Sequence, residues 1–141
     1  MRFMVIVYPG PRAEAGELPS EKELTAMGKF NEELVNAGVM LAGEGLHPSS
    51  KGARIRYPGG KPKVSDGPFT ESKEIIGGFW LMQVKSKEEV VEWLKRCPMG
   101  PDDMVEIRQV FESEDFGAEL TPELKAQEDR MREKSGMAAK K

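Results

Sequence analysis

Two segments of this chain are apolar at odd and even positions alike, Phe3-Met4-Val5-Ile6-Val7-Tyr8 and Gly78-Phe79-Trp80-Leu81-Met82. Successive side chains of a strand point to opposite faces, so each segment, as a strand, is apolar front and back. Such strands belong at the centre of a sheet covered on both sides. Most of what the chain can fold into follows from that demand.

The surrounding pattern supplies the other elements. Residues 3–8 stop at Pro9-Gly10-Pro11, and residues 12–19 read as a polar loop. Ser20-Glu21-Lys22-Glu23 is a capping box opening a helix, whose Leu24, Met27, Phe30, Leu34 and Val35 form one stripe ending at Gly38. Val39-Met40-Leu41-Ala42 is a second short strand. Gly43-Glu44-Gly45-Leu46-His47-Pro48 leads out of it through positions where glycine permits unusual backbone angles. Residues 53–57 and 63–66, joined by Pro58-Gly59-Gly60, read as a hairpin. After the strand at 78–84, Ser86-Lys87-Glu88-Glu89 repeats the capping box before a stripe of Val90, Trp93, Leu94 and Cys97, and residues 104–111 form the last strand.

With the hairpin set aside, the order is strand, helix, strand, strand, helix, strand, the ferredoxin-like split βαβ arrangement of the α+β class. Both helices then cover one face of an antiparallel sheet. The other face keeps three or four large apolar side chains, several hundred Å² that soluble monomers rarely expose. At roughly 25 cal/mol per Å², covering it stabilises by several kcal/mol before association entropy is subtracted. A second copy meeting that face across a twofold axis satisfies the demand best, so the expectation is a homodimer through the open sheet face. A length of 141 residues fits one domain, read as 1–111, followed by a charged extension at 112–141 that is partly helical or disordered, with Thr121-Pro122-Glu123 as a helix start.

Charge and cysteine usage narrow the setting. There are 21 basic and 24 acidic side chains, a formal net charge of −3, which gives no global attraction to phosphate backbones. A nucleic-acid partner is therefore not expected. The longest purely apolar run is six residues, far short of the roughly 18 a membrane helix requires and too brief for a signal-peptide core. With one cysteine, no intramolecular disulfide forms, and a cytoplasmic setting is expected.

The stretch Asp66-Gly67-Pro68-Phe69-Thr70-Glu71-Ser72-Lys73-Glu74, followed by Gly77-Gly78-Phe79-Trp80, resembles the signature of the DGPF group within the YCII-related family. Ala37-Gly38-Val39, Gly43-Glu44-Gly45-Leu46-His47-Pro48 and Arg96-Cys97-Pro98 extend the likeness over about residues 1–111. The resemblance implies a dimeric α+β barrel of ferredoxin-like protomers. Members of the wider family are credited with a His and Asp pair, the His in the first helical region, which does not transfer: no His precedes His47, and Cys97-Pro98 stands where relatives outside this group tend to have Asp-Pro. Some DGPF proteins are encoded beside extracytoplasmic-function sigma factors, which implies a regulatory partner as a second reading.

Candidate chemistry centres on few residues. His47, the single histidine, suits general acid or base work, or is a solvated loop residue. Asp66-Gly67-Pro68-Phe69 is good turn chemistry, the carboxylate capping backbone N–H groups. Alternatively Asp66 and Glu71 converge near His47, with Lys73 supplying charge. Arg54 and Arg56, two apart on one strand, can clamp a small anion, or else block edge-to-edge pairing of the hairpin. Trp80 is read as lining a pocket with them. Cys97, at a helix C-terminus, is a poor nucleophile. No zinc spacing, complete dinucleotide fingerprint or phosphate loop occurs, so no cofactor or metal is expected.

Overall fold

The central strand is the first one. A computed structural model describes residues 1–70 and 74–137. In it β1 (Arg2–Tyr8) pairs on one side with β5 (Gly78–Gln83) and on the other with β6 (Met104–Gln109). β2 (Met40–Gly45) joins the far edge of β5, giving one antiparallel sheet in the order β2-β5-β1-β6. The two segments apolar on both faces are thus adjacent inner strands. β3 (Ala53–Arg56) and β4 (Lys63–Asp66) form the expected hairpin as a separate two-stranded sheet.

The helices start where their capping boxes put them. α2 (Glu21–Asn36) is capped by Ser20, whose Oγ accepts from the Glu23 N–H at 3.1 Å and donates to Glu23 Oε1 at 3.2 Å. α3 (Lys87–Leu94) is capped by Ser86, whose Oγ accepts from the Glu89 N–H at 3.2 Å, while Glu89 Oε2 accepts from the Lys85 N–H. Both helices cover the same side of the sheet. Phe30 and Leu34 of α2 and Val90 of α3 are buried against Phe3, Val5, Trp80 and Met82. The opposite face carries Met4 across from Leu81 and Ile6 across from Phe79, four half-buried apolar side chains flanked by Glu44, Glu106 and Arg108.

Several local expectations change. The loop after β1 contains a short helix, α1 (Pro11–Glu14), entered through Pro11, whose ring fixes a helical φ. Of the α2 stripe, Leu24 and Val35 are exposed, because the core ends at Met27 and Leu34. β2 continues to Gly45, and neither Gly43 nor Gly45 has a positive φ. Space is the reason at Gly43: a Cβ there would lie 2.6 Å from Met40 Cε and 2.9 Å from Trp80 Cδ1.

Among the described residues one ion pair is buried. Arg2 is 4% and Glu112 8% exposed, and the guanidinium meets the carboxylate through Nε–Oε1 at 2.9 Å and Nη2–Oε2 at 3.3 Å. The chain then enters a 3-10 segment (Ser113–Glu119) and α4 (Pro122–Ser135), capped by Thr121 and closed by Gly136 in the left-handed region. α4 has no buried residue. Among the described residues no helix is long and apolar enough to cross a membrane.

Candidate functional site

A cavity of about 990 Å³ opens between the first half of α2, the 10–20 segment, the 98–103 loop and the meeting ends of β1, β2 and β5. That volume is at the upper end of those that hold small organic molecules. Its inner wall is Trp80, with Met27 and Met40 beside it and exposed Leu24 at the rim. The glycines 43, 45, 77 and 78 line it where the strands converge, leaving backbone in place of side chains. A Cβ on Gly78 would lie 2.8 Å from the Glu44 carbonyl oxygen, and one on Gly77 2.9 Å from Pro9 Cβ, so the close approach of these strands requires glycine.

Trp80 is fixed from two sides. Phe30 meets it edge to face, centroids 6.1 Å apart, and its Nε1–H donates to Asn31 Oδ1 at 2.8 Å. With Asn31 Oδ1 engaged, the Nδ2 group of the same amide keeps its two donors in a residue that also lines the cavity. Charged lining groups surround this pair. Arg12 and Glu17 are joined by a two-bonded ion pair at 2.6 and 2.9 Å, and Asp103 Oδ2 accepts from the Gly100 N–H. Asp102 lines the cavity without a side-chain hydrogen bond to any described residue, whereas Glu44, opposite Phe79 in the register, borders it through its backbone and carries its carboxylate on the other face of the sheet. Among the described residues no group of His, Cys, Asp or Glu is placed to hold a metal ion.

Of the residues singled out from sequence, Trp80 lies in this cavity and His47, Asp66, Arg54 and Arg56 do not border it. His47 is exposed in the turn after β2, and Asp66 is exposed at the end of β4; no hydrogen bond joins them. Glu71 and Lys73 lie outside the described residues. The turn holding Asp66 is organised by other groups: the Phe69 N–H donates to Ser49 Oγ at 3.0 Å and the Gly67 N–H to the Gly52 carbonyl at 2.9 Å. Glu14 of α1 accepts from the Ser49 N–H, tying the short helix to the same turn. Arg54 is engaged locally, its guanidinium 3.9 Å above the Phe69 ring and donating to the Glu74 carbonyl at 3.2 Å. Arg56 is exposed on the hairpin.

With that geometry in view, the relatives can be placed. The match to the YCII-related domain spans residues 1–114. The chain belongs to the YCII-related family. A protein of Rhizobium meliloti (strain 1021), described as uncharacterized, is 29% identical over 75 residues, which are 53% of this chain and 60% of that protein. This chain therefore spans less than two thirds of that relative's length. Among solved structures, a 5-chloro-2-hydroxyhydroquinone dehydrochlorinase from Burkholderia phenoliruptrix AC1100, in complex with 2,5-dihydroxybenzoquinone, is similar at 18% identity and a TM-score of 0.42. The match covers 81% of this chain and 98% of that one.

Asn31 went unread in the sequence although a signal was present. It lies four residues after Met27 and three before Leu34, a lone amide within the apolar stripe of α2. Cys97 is half-buried and behaves as its position suggested, for a different leading reason. Burial first, and then the Asp103 carboxylate, raise its pKa to about 11. Alkylation by iodoacetamide at pH 8 is expected to be far slower than for a free thiol, and to accelerate only as the pH approaches 11. The linked stability is full below the thiol's ordinary value near 9 and is lost as pH rises through 11, because the unfolded chain releases a proton that the fold retains. Cys97→Ala is expected to flatten that alkaline limb in denaturation series between pH 8 and 11.

Proposed function

We propose that this protein binds a small organic molecule in the cavity under α2 and acts on it by acid–base chemistry, as a homodimer whose protomers stack through their open sheet faces. The observation that carries the ligand reading is the Trp80–Asn31 unit: an indole wall whose own N–H fixes the neighbouring amide with both Nδ2 donors uncommitted. The matching ligand has a flat apolar body against Trp80 and Met27 and an oxygen acceptor toward Asn31. Carboxylates outnumber cations in the lining, so a neutral molecule is favoured over the anion expected from Arg54 and Arg56. Asp102, a lining carboxylate with no side-chain hydrogen bond to any described residue, is the group we assign as proton acceptor. Met4, Ile6, Phe79 and Leu81, side by side on a face that no helix of the core covers, support the dimer.

A fluorescence titration tests the ligand reading. In a Trp93→Phe background, where Trp80 is the sole tryptophan, neutral phenols and aromatic amides are screened for quenching of its emission. A binder is expected to lose about tenfold in affinity in Asn31→Leu, the size of one hydrogen bond to a buried partner. Binders that leave Trp80 emission unchanged, or that are indifferent to Asn31→Leu, would remove the reading.

A further inference from the structure

We propose that the acidic, aromatic segment after β6 docks on the basic β3–β4 hairpin of a second copy of this chain. The inference rests on the dimer proposed above and adds a second contact to it. The hairpin supplies one half. Ile55 and Val64 face each other across its two strands, Tyr57 follows Ile55 by two positions, and Tyr57 and Val64 are 66% and 62% exposed. A two-stranded sheet is marginal alone, and an apolar side left in water on it calls for a partner. Arg56 and Lys63, the next cross-strand pair, project from the other side of the same two strands, Lys61 follows the turn between them, and residues 51–65 contain no acid.

The segment after β6 supplies the other half. Phe111 and Phe116 stack at 4.9 Å between centroids, and Phe111 is 62% exposed. Glu114 and Glu119 are exposed beside them, and residues 109–124 contain no base. An acidic segment with exposed aromatic surface thus complements a basic hairpin with one exposed aliphatic side.

Position excludes the simplest intramolecular pairing. The acidic segment departs beside Arg2, where the Val110 N–H donates to the Arg2 carbonyl. The hairpin is rooted at the other end of β1, where the Gly77 N–H donates to the Val7 carbonyl and the Leu46 N–H to the Gly77 carbonyl. Seven strand residues separate these ends by about 20 Å. When two sheets stack face to face about a twofold axis running across the strands, the Arg2 end of one protomer lies over the Gly77 end of the other. Both contacts then form at once.

Charge reversal on the full chain, read by sedimentation equilibrium, tests this. Lys61→Glu with Lys63→Glu, and separately Glu114→Lys with Glu119→Lys, are each expected to weaken self-association at least about tenfold, since each homodimer then opposes like charges twice. Mixing the two variants is expected to restore wild-type affinity to within about threefold, because in the mixed dimer both contacts are again complementary. A dimer unaffected by either reversal, or no recovery on mixing, overturns the docking and leaves the sheet-face dimer standing. A wild-type monomer overturns both. Flotation of the wild type with phosphatidylglycerol vesicles, lost in the hairpin variant while its self-association is unchanged, assigns the hairpin to an anionic bilayer and also overturns the proposal.

Discussion

Replacing Arg2 with alanine is expected to lower the free energy of unfolding by about 3–5 kcal/mol, because it leaves the Glu112 carboxylate buried without its counter-charge. Urea denaturation followed by circular dichroism measures this directly, and the corresponding fall in Tm is roughly 10 °C or more. Glu112→Ala is expected to cost a similar amount for the mirrored reason. Arg2→Met combined with Glu112→Leu should be close to neutral, since removing both charges removes the desolvation cost along with the attraction. If the single and double variants lose the same stability, the pair is no more than packing. The 4% and 8% exposures, rather than the two-bonded geometry that Arg12–Glu17 shares, separate this ion pair from the surface pairs of the molecule. Arg12–Glu17 and Lys95–Glu92, for instance, are open to water, which screens their attraction.

The second large effect is expected at Trp80. Trp80→Ala removes a nearly buried side chain that packs on Phe30 and forms the inner wall of the cavity, and should cost about 3–5 kcal/mol. Trp80→Phe separates the two roles of the indole. It keeps most of the packing but strips Asn31 Oδ1 of its donor, which costs about 1–3 kcal/mol and frees the amide to turn. Under the proposed function this milder variant should lose ligand affinity out of proportion to its stability, because the orientation of the Asn31 donors is no longer set. Equal affinity in Trp80→Phe and wild type would show that the indole N–H does not position the amide.

How much of this was legible in the sequence depended on whether the cause was local. The two-sided apolar strands, the capping serines at 20 and 86 and the hairpin around Gly59-Gly60 are fixed by neighbours a few residues away, and each is where the pattern put it. α1 is four residues long, too short for a period to register, and only Pro11 marks its start. The reading of Gly43 as a site of unusual backbone angle failed because its constraint comes from Trp80 on the neighbouring strand. The cavity was invisible for the same reason: its walls come from five separated segments, and only Trp80 stood out beforehand. His47 and Asp66 drew attention as reactive residue types flanked by glycine and proline, yet the Asp66 turn is held by Ser49, and neither residue borders the cavity. Residue type alone does not say which side chains share a volume.

The Arg2–Glu112 pair also bears on how the chain is made. Its partners are 110 positions apart, and β1, synthesised first, takes its hydrogen-bonding neighbours from residues 78–83 and 104–109. At roughly 5–20 residues per second of translation, the nascent first strand spends about 5–20 s without the strands it will sit between. A segment apolar on both sides is thus offered to the ribosome's surroundings long before it can be sheltered. Its closing charge pair completes only after the last strand has emerged, so most of the danger of misassembly falls before that moment.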